Sequence, residues 1–217
     1  LGVGIRLVKE GKADAFISAG NTGAIATFSL FTLGRMEGVE RPAIAAVYAT
    51  LTGTTTVLLD IGANADCRPR HLVQFARLGS NFATKVLGVS KPRVGLLSNG
   101  SEDVKGSRLA RETHRLLKES DLDFLGNVEG YDLLAGVADV VVTDGFTGNV
   151  ALKLAEGLSK AIFTSLKDAL VSHPLAKASK ILWGPAVMAV AKKWDYSVAK
   201  GAPLLGVKGN IVMAHGR

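Results

Sequence analysis

Ala138-Asp139-Val140-Val141-Val142-Thr143-Asp144-Gly145-Phe146-Thr147-Gly148-Asn149-Val150 is the stretch on which the fold reading turns. The run Asp139–Thr143 is β-branched and apolar, the composition of a strand covered on both faces. It ends in a small, polar, glycine-rich turn, and from about Thr147 the pattern becomes helical. The same unit recurs along the chain. Ala13–Ser18 leads through Gly20-Asn21-Thr22-Gly23 into the apolar stretch Thr22–Leu33. Thr56–Ile61 leads through Gly62-Ala63-Asn64 to a helix after Pro69, and Arg93–Ser98 leads through Asn99-Gly100-Ser101-Glu102 to a helix over Ser107–Lys118. Gly2–Glu10 reads as a further helix, and Ala43–Tyr48 and Asp123–Asn127 as further strands. This alternation predicts an α/β domain with a mainly parallel sheet. The body spans 1–150. A helical excursion over 151–195 is interrupted at His173-Pro174 and Gly184-Pro185. Residues 196–217 bring two strand-like runs, Pro203–Val207 and Asn210–Ala214, back to the sheet.

With 217 residues the chain suits one large domain, or a domain with a subdomain, on a prior of about 100–200 residues per domain. One cysteine excludes an internal disulfide and fits a reducing compartment. The apolar runs are broken too early to span a bilayer, and no signal peptide is visible. The first residue is Leu1 rather than Met, and the expectation is a fragment lacking elements at either end. The 26 basic and 19 acidic side chains leave a net charge of +7, which attracts acidic partners through a long-range field. Aromatics make up only 6% and are not interleaved with the basic residues, so nucleic-acid binding loses support.

In open parallel sheets ligands bind beyond the carboxyl ends of the strands. Glycines there let backbone approach an anion, and helix N-terminal N–H groups point at it. Four such turns, expected at one sheet edge, make a phosphate or oxyanion site the leading reading. Ser18, Gly20, Asn21, Thr22, Gly23, Asn64, Asp144, Thr147 and Gly148 are the candidate binding residues. There is no Gly-x-Gly-x-x-Gly after a strand and no Gly-x4-Gly-Lys-Ser/Thr, which removes support for ordinary dinucleotide and P-loop ATP binding. Lys105, in Glu102-Asp103-Val104-Lys105-Gly106, is either a point charge for phosphate or a surface lysine paired with Glu102 or Asp103. Thr147 and Asn149 fit helix N-caps equally well, and an Asn amide aimed at a developing oxyanion is the catalytic alternative. Cys67 lies four residues before His71, but no third orienting group accompanies them, so a small buried thiol is the simpler reading. His114, among Arg111, Arg115 and Lys118, reads as surface. His215 reads equally as a site residue or a turn residue. No metal-ligand set is evident.

Longer strings then resemble a known family. Lys12-Ala13-Asp14-Ala15 with Ser18-Ala19-Gly20-Asn21-Thr22-Gly23-Ala24, Leu59-Asp60-Ile61-Gly62-Ala63-Asn64, Pro92-Arg93-Val94-Gly95-Leu96-Leu97 and Gly126-Asn127-Val128-Glu129-Gly130 are similar to the bacterial phosphate acyltransferases of the PlsX type. So are the opening stretch, Gly201-Ala202-Pro203-Leu204-Leu205-Gly206 and Ala214-His215-Gly216. The resemblance runs in order along nearly the whole chain. It implies transfer of a long-chain fatty acyl group from acyl carrier protein to inorganic phosphate, giving acyl phosphate for phospholipid synthesis. It also implies a three-layer α/β/α Rossmann-like fold of the isocitrate/isopropylmalate dehydrogenase kind, a homodimer, a cytoplasmic enzyme, and no metal or organic cofactor. The family's best catalytic candidates, the lysine of Glu-Asp-x-Lys-Gly and the asparagine of Asp-Gly-Phe-Thr-Gly-Asn, fall on Lys105 and Asn149. Ser98-Asn99-Gly100-Ser101 departs from the Asn-x-Gly-Thr/Glu of many relatives.

Phosphate dianion is already a nucleophile near neutral pH, so such an enzyme needs no activated serine or cysteine. The basic surplus would then steer the acidic carrier protein. Ile181–Met188, beside Lys177, Lys180, Lys192 and Lys193, reads either as a contact with anionic membrane or as a dimer or core contact. The rival functions are a phosphotransacetylase acting on short acyl-CoA and a non-catalytic basic module for an acidic protein or lipid. A metal-dependent hydroxy-acid dehydrogenase is weaker, because no clustered aspartates are present.

Overall fold

The structure, a computed structural model, describes residues 1–172, 180–193 and 201–214. Its strands are β1 (Ala15–Ser18), β2 (Ala43–Ala49), β3 (Thr55–Leu59), β4 (Arg93–Leu97), β5 (Asp123–Val128), β6 (Val140–Val142), β7 (Ala202–Leu205) and β8 (Asn210–Met213). Its helices are α1 (Gly2–Lys9), α2 (Thr22–Leu33), α3 (Pro69–Leu87), α4 (Arg108–Lys118), α5 (Asp132–Ala135), α6 (Gly145–Ser172) and α7 (Lys180–Lys193). The strands form one sheet in the order β1-β8-β7-β2-β3-β6-β4-β5.

The sheet is mixed, which corrects the expectation of a mainly parallel one. β3, β6, β4 and β5 are mutually parallel, and β1 is parallel to β8. Between these groups, β2 runs against both β3 and β7, and β7 runs against β8. The reason lies in connection length. A parallel crossover needs about a dozen residues or more. Only Thr50–Thr54 separates β2 from β3, and only Gly206–Gly209 separates β7 from β8. The first turn is closed by Thr50 Oγ1, 2.8 Å from Thr54 Oγ1 and 2.9 Å from Thr52 Oγ1, with Gly53 at φ 85°.

Successive strand residues point to opposite faces, and the core divides accordingly. Val57, Leu59, Val140 and Val142 pack with Leu72, Phe75 and Ala76 of α3 and with Ala110 and Leu117 of α4. Ile44, Leu58 and Val141 pack on the other side with Ile5, Ile25, Leu133 and Leu152, from α1, α2, α5 and α6. Helices therefore cover both faces.

Two local readings change. His114 is 4% exposed rather than on the surface, because Ala110, Thr113, His114 and Leu117 recur at helical spacing on the buried stripe of α4. Gly184 and Pro185 lie inside α7, since a proline deletes one ladder hydrogen bond and need only bend a helix. His173-Pro174 lies outside the described residues.

Asp139, just ahead of β6, clamps the start of β4. Its Oδ2 accepts from the Arg93 amide at 2.8 Å and from Nε at 3.0 Å, and its Oδ1 accepts from the other guanidinium nitrogen at 3.2 Å. Burial alone would raise the Asp139 carboxyl, but the Arg93 side chain and amide outweigh it and hold it below its ordinary value. A lowered folded-state pKa means the unfolded chain binds the proton more readily. The contribution is therefore present above about pH 4 and lost as pH falls further. Asp139→Asn is expected to flatten this acid limb, measured by urea unfolding at a series of pH values between 3 and 7.

Candidate functional site

The site is built around the turn that follows β3. Asp60 is fully buried, and its carboxylate receives five N–H groups. Oδ1 accepts from the amides of Ile44 (3.0 Å), Gly62 (3.2 Å) and Ala63 (3.1 Å), and Oδ2 from Asn64 N (2.7 Å) and Asn64 Nδ2 (2.9 Å). Burial pushes this carboxyl upward, against the pull of those donors. Asn64 also donates to the Pro42 carbonyl at 2.8 Å, so its amide is spent inside the fold.

The N-terminus of α6 sits directly on this turn. The Gly145 amide donates to the Asn64 carbonyl at 2.8 Å. A Cβ at Gly145 would come within 2.7 Å of both that carbonyl oxygen and Asp60 Oδ2, and a Cβ at Gly148 would fall onto the Asp60 carbonyl oxygen. Gly148 is thus a close-approach glycine, and it is buried. Asp144 caps the helix, its Oδ1 accepting from the Thr147 amide at 2.9 Å and its Oδ2 from the Thr147 hydroxyl at 2.8 Å. Thr147 and Asn149 therefore lie inside the first turns and are not themselves caps. Both are exposed.

Two cavities flank these first turns. One, of about 360 Å³, lies at the N-terminus of α4 and is lined by Ser98, Asn99, Gly106, Ser107, Asp144 and Thr147, with Leu72, Leu96 and Leu109 among its apolar walls. The other, of about 380 Å³, lies at the N-terminus of α2. Gly20, Asn21, Thr22 and Gly23 line it with Gly62, Asn149 and Lys153. The caps at these two helices are neutral: Asn21 Oδ1 accepts from the Ala24 amide at 2.9 Å and Ser107 Oγ from the Ala110 amide at 3.2 Å. The positive ends of both helix dipoles thus face the cavities without a carboxylate cap. At α6 the Asp144 carboxylate already takes that place.

The predicted residues are therefore brought together in two groups. The turn after β1 joins Asn149, although three antiparallel joins separate β1 and β8 from β3, so β1 runs against β3, β6 and β4 and the four turns do not share one strand-end edge. Ser18 accepts from the Gly20 amide at 3.2 Å within that turn. Lys105 is exposed and lies in the turn that ends at the first cavity. Its stem passes over Gly100, where a Cβ would be 3.0 Å from Lys105 Cγ. Asp103 is engaged by Lys118 at 3.1 Å, and among the described residues Lys105 has no ion-pair partner. Lys153, paired with Glu156 at 2.8 Å, was not singled out from the sequence. The available signal was its i, i+4 spacing from Asn149.

Cys67 does not pair with His71. Its thiol donates to the Asn64 carbonyl at 3.5 Å, whereas His71 Nδ1 accepts from the Arg68 amide at 3.1 Å. Burial first, and then the Asp60 charge, push the thiol up to about 12, so it stays protonated at neutral pH. Among the described residues no group of three or more His, Cys, Asp or Glu side chains is placed to hold a metal ion. His215 lies outside the described residues.

All of residues 1–217 match the family described as fatty acid synthesis protein. The chain belongs to that family. It is 52% identical over 221 residues to the phosphate acyltransferase of Dehalococcoides mccartyi, covering 99% of this chain and 62% of the relative. It is 54% identical over 209 residues to the phosphate acyltransferase of Bacillus pumilus, covering 96% and 63%. The chain thus spans less than two thirds of the length of these curated relatives. Its fold resembles a phosphotransacetylase from Streptococcus pyogenes, with a TM-score of 0.64 and 17% identity over 100% of this chain and 61% of that one. It also resembles a branched-chain phosphotransacylase from Enterococcus faecalis, with a TM-score of 0.58 and 19% identity over 98% and 70%.

The close seat of α6 on Asp60 has a measurable consequence. Gly148→Ala should destabilise the full-length protein by about 1–3 kcal/mol through overpacking. Gly157→Ala, on the same helix with nothing within 4 Å, should stabilise it by about 1 kcal/mol. Urea unfolding of the two variants beside wild type checks both signs.

Proposed function

We propose that this chain carries the catalytic region of an enzyme that transfers a long-chain fatty acyl group from acyl carrier protein to inorganic phosphate. The observation that carries this reading is the pair of cavities at neutrally capped helix N-termini on either side of α6, in a chain at least 52% identical to two phosphate acyltransferases. An oxygen of phosphate dianion attacks the thioester carbonyl carbon, a tetrahedral intermediate forms, and the C–S bond breaks. The products are acyl phosphate and the carrier-protein thiol. Such a reaction asks mainly that a dianion be held beside a thioester, a proximity effect that can be worth several kcal/mol.

In this reading Lys105 supplies a cation for phosphate, and Asn149 donates to the oxyanion developing on the thioester oxygen, worth about 3–4 kcal/mol. The turn Gly20–Gly23 and Thr147 add neutral donors. Gly148, Asn64 and Asp144 act behind them, by setting the position of α6. The thiolate of a pantetheine arm leaves with little need of a strong general acid.

The finer expectations belong to the same proposal: an isocitrate/isopropylmalate dehydrogenase-like class for the fold, residues 151–195 as an excursion from the α/β body, and a cytoplasmic homodimer. Supporting a second copy, Phe146, Val150, Leu154, Leu158 and Ile162 are all more than half exposed and recur every four residues along α6. Membrane contact would be peripheral, through 181–188. Among the described residues no helix is long and apolar enough to cross a membrane.

The decisive assay is phosphate-dependent thiol release from a long-chain acyl-carrier-protein thioester by the full-length protein. Asn149→Ala should cut turnover about 10²–10³-fold, and Lys105→Ala should raise the phosphate KM, both without loss of fold. Turnover only with short acyl-CoA would move the assignment to phosphotransacetylase. Because the basic surface would steer an acidic carrier protein, kcat/KM for that donor should fall from low to high salt. A flat salt response would rule out steering.

A further inference from the structure

The turn that presents Lys105 is held from behind by a buried side-chain pair. His114 of α4 is 4% exposed, and its ring stands edge-on to Phe124 of β5 at a centroid distance of 5.1 Å. His114 Nδ1 lies 3.0 Å from Asn127 Oδ1, and Asn127 Nδ2 donates to the Glu102 carbonyl at 2.7 Å. That same carbonyl accepts from the Lys105 amide at 3.0 Å. Two N–H groups thus meet on one oxygen, and the second belongs to the lysine that the proposed reaction needs.

The chemistry of this chain is directional. The Glu102 carbonyl can only accept, so the Asn127 amide nitrogen must face it, and its oxygen must face His114. An amide oxygen can only accept in turn, so His114 must carry a proton on Nδ1. The other ring nitrogen, Nε2, lies 3.4 Å from Asp103 Oδ1, in the same turn, while Lys118 Nζ holds Asp103 Oδ2 at 3.1 Å. A leucine in this place would fill the gap between α4 and β5 but would leave the Asn127 oxygen buried without a donor, at the cost of the orientation that serves Glu102.

We propose that His114, acting through Asn127, is a positioning residue that fixes the 102–106 turn and so places the Lys105 ammonium for phosphate. This rests on the reading of Lys105 given above.

The test uses the full-length protein with two substitutions. His114→Phe keeps the ring and its contact with Phe124 but removes the Nδ1 donor. His114→Asn returns an N–H close to where Nδ1 stood. Two quantities are read: hydrogen exchange of the amides at 102–106, and saturation by inorganic phosphate at fixed acyl-carrier-protein thioester. His114→Phe is expected to speed exchange in the turn and raise the phosphate KM about tenfold. Both kcat and the KM for the thioester should stay within about twofold, and His114→Asn should recover most of the loss. Exchange unchanged in His114→Phe overturns the proposal. So does a fall of kcat, both KM values and Tm together that His114→Asn does not relieve, since that marks His114 as core filling alone. Faster exchange that His114→Asn reverses, with phosphate saturation unaltered, keeps His114 as the holder of the turn and overturns instead the assignment of Lys105 to phosphate.

Discussion

Five N–H groups converge on the carboxylate of Asp60, and the site depends on that convergence. A bare carboxylate in a fully buried position would be strongly unfavourable. Here its lone pairs are met by the amide of Ile44 in β2 and by four donors of the turn it begins. The turn is thereby tied to the neighbouring strand and given one shape. α6 is then docked on that shape through Gly145 and Gly148, with room for hydrogen at each Cα and for nothing larger. The first turns of α6 carry Thr147 and Asn149, so the placement of both traces back to one buried charge.

This arrangement divides the functional surface. The first turns of α6 send Thr147 to a cavity at the N-terminus of α4 and Asn149 to a cavity at the N-terminus of α2. Asp144 caps α6, whereas Asn21 and Ser107 leave the other two helix ends without a formal negative charge. The helix ends left without a carboxylate cap are thus the two that flank α6, not α6 itself.

Much of this was legible in the chain. Strand, glycine turn and helix follow one another at β1, β3, β4 and β6, and the periodicity located α2, α3 and α4 within a few residues. Gly20–Gly23 of the turn after β1 and Asp144, Thr147 and Asn149 after β6 line the two cavities, because small polar residues at strand ends tend to be exposed. Less legible was the role of Gly148 and Asn64. Both read as anion-binding residues by type, yet one clears a path for the Asp60 carbonyl and the other spends its amide on Pro42 and Asp60. His114 was misplaced because its charged neighbours at 111, 115 and 118 outvoted the apolar spacing of 110, 113 and 117.

By itself the sequence determined the α/β class, the glycine-rich turns at the strand ends and the kinship with phosphate acyltransferases, since each is written in local patterns and in long strings similar to the family's. The mixed sheet was also written there, in connections too short for a parallel crossover, although the apolar runs alone do not disclose direction. Only the tertiary structure decided which turns meet, which glycines exist for close approach, and that a buried His114 stands behind Lys105. Those outcomes depend on groups distant in sequence, such as Ile44 with Asp60 and Asn127 with Glu102, reaching the same few ångströms, and no local pattern encodes such an encounter.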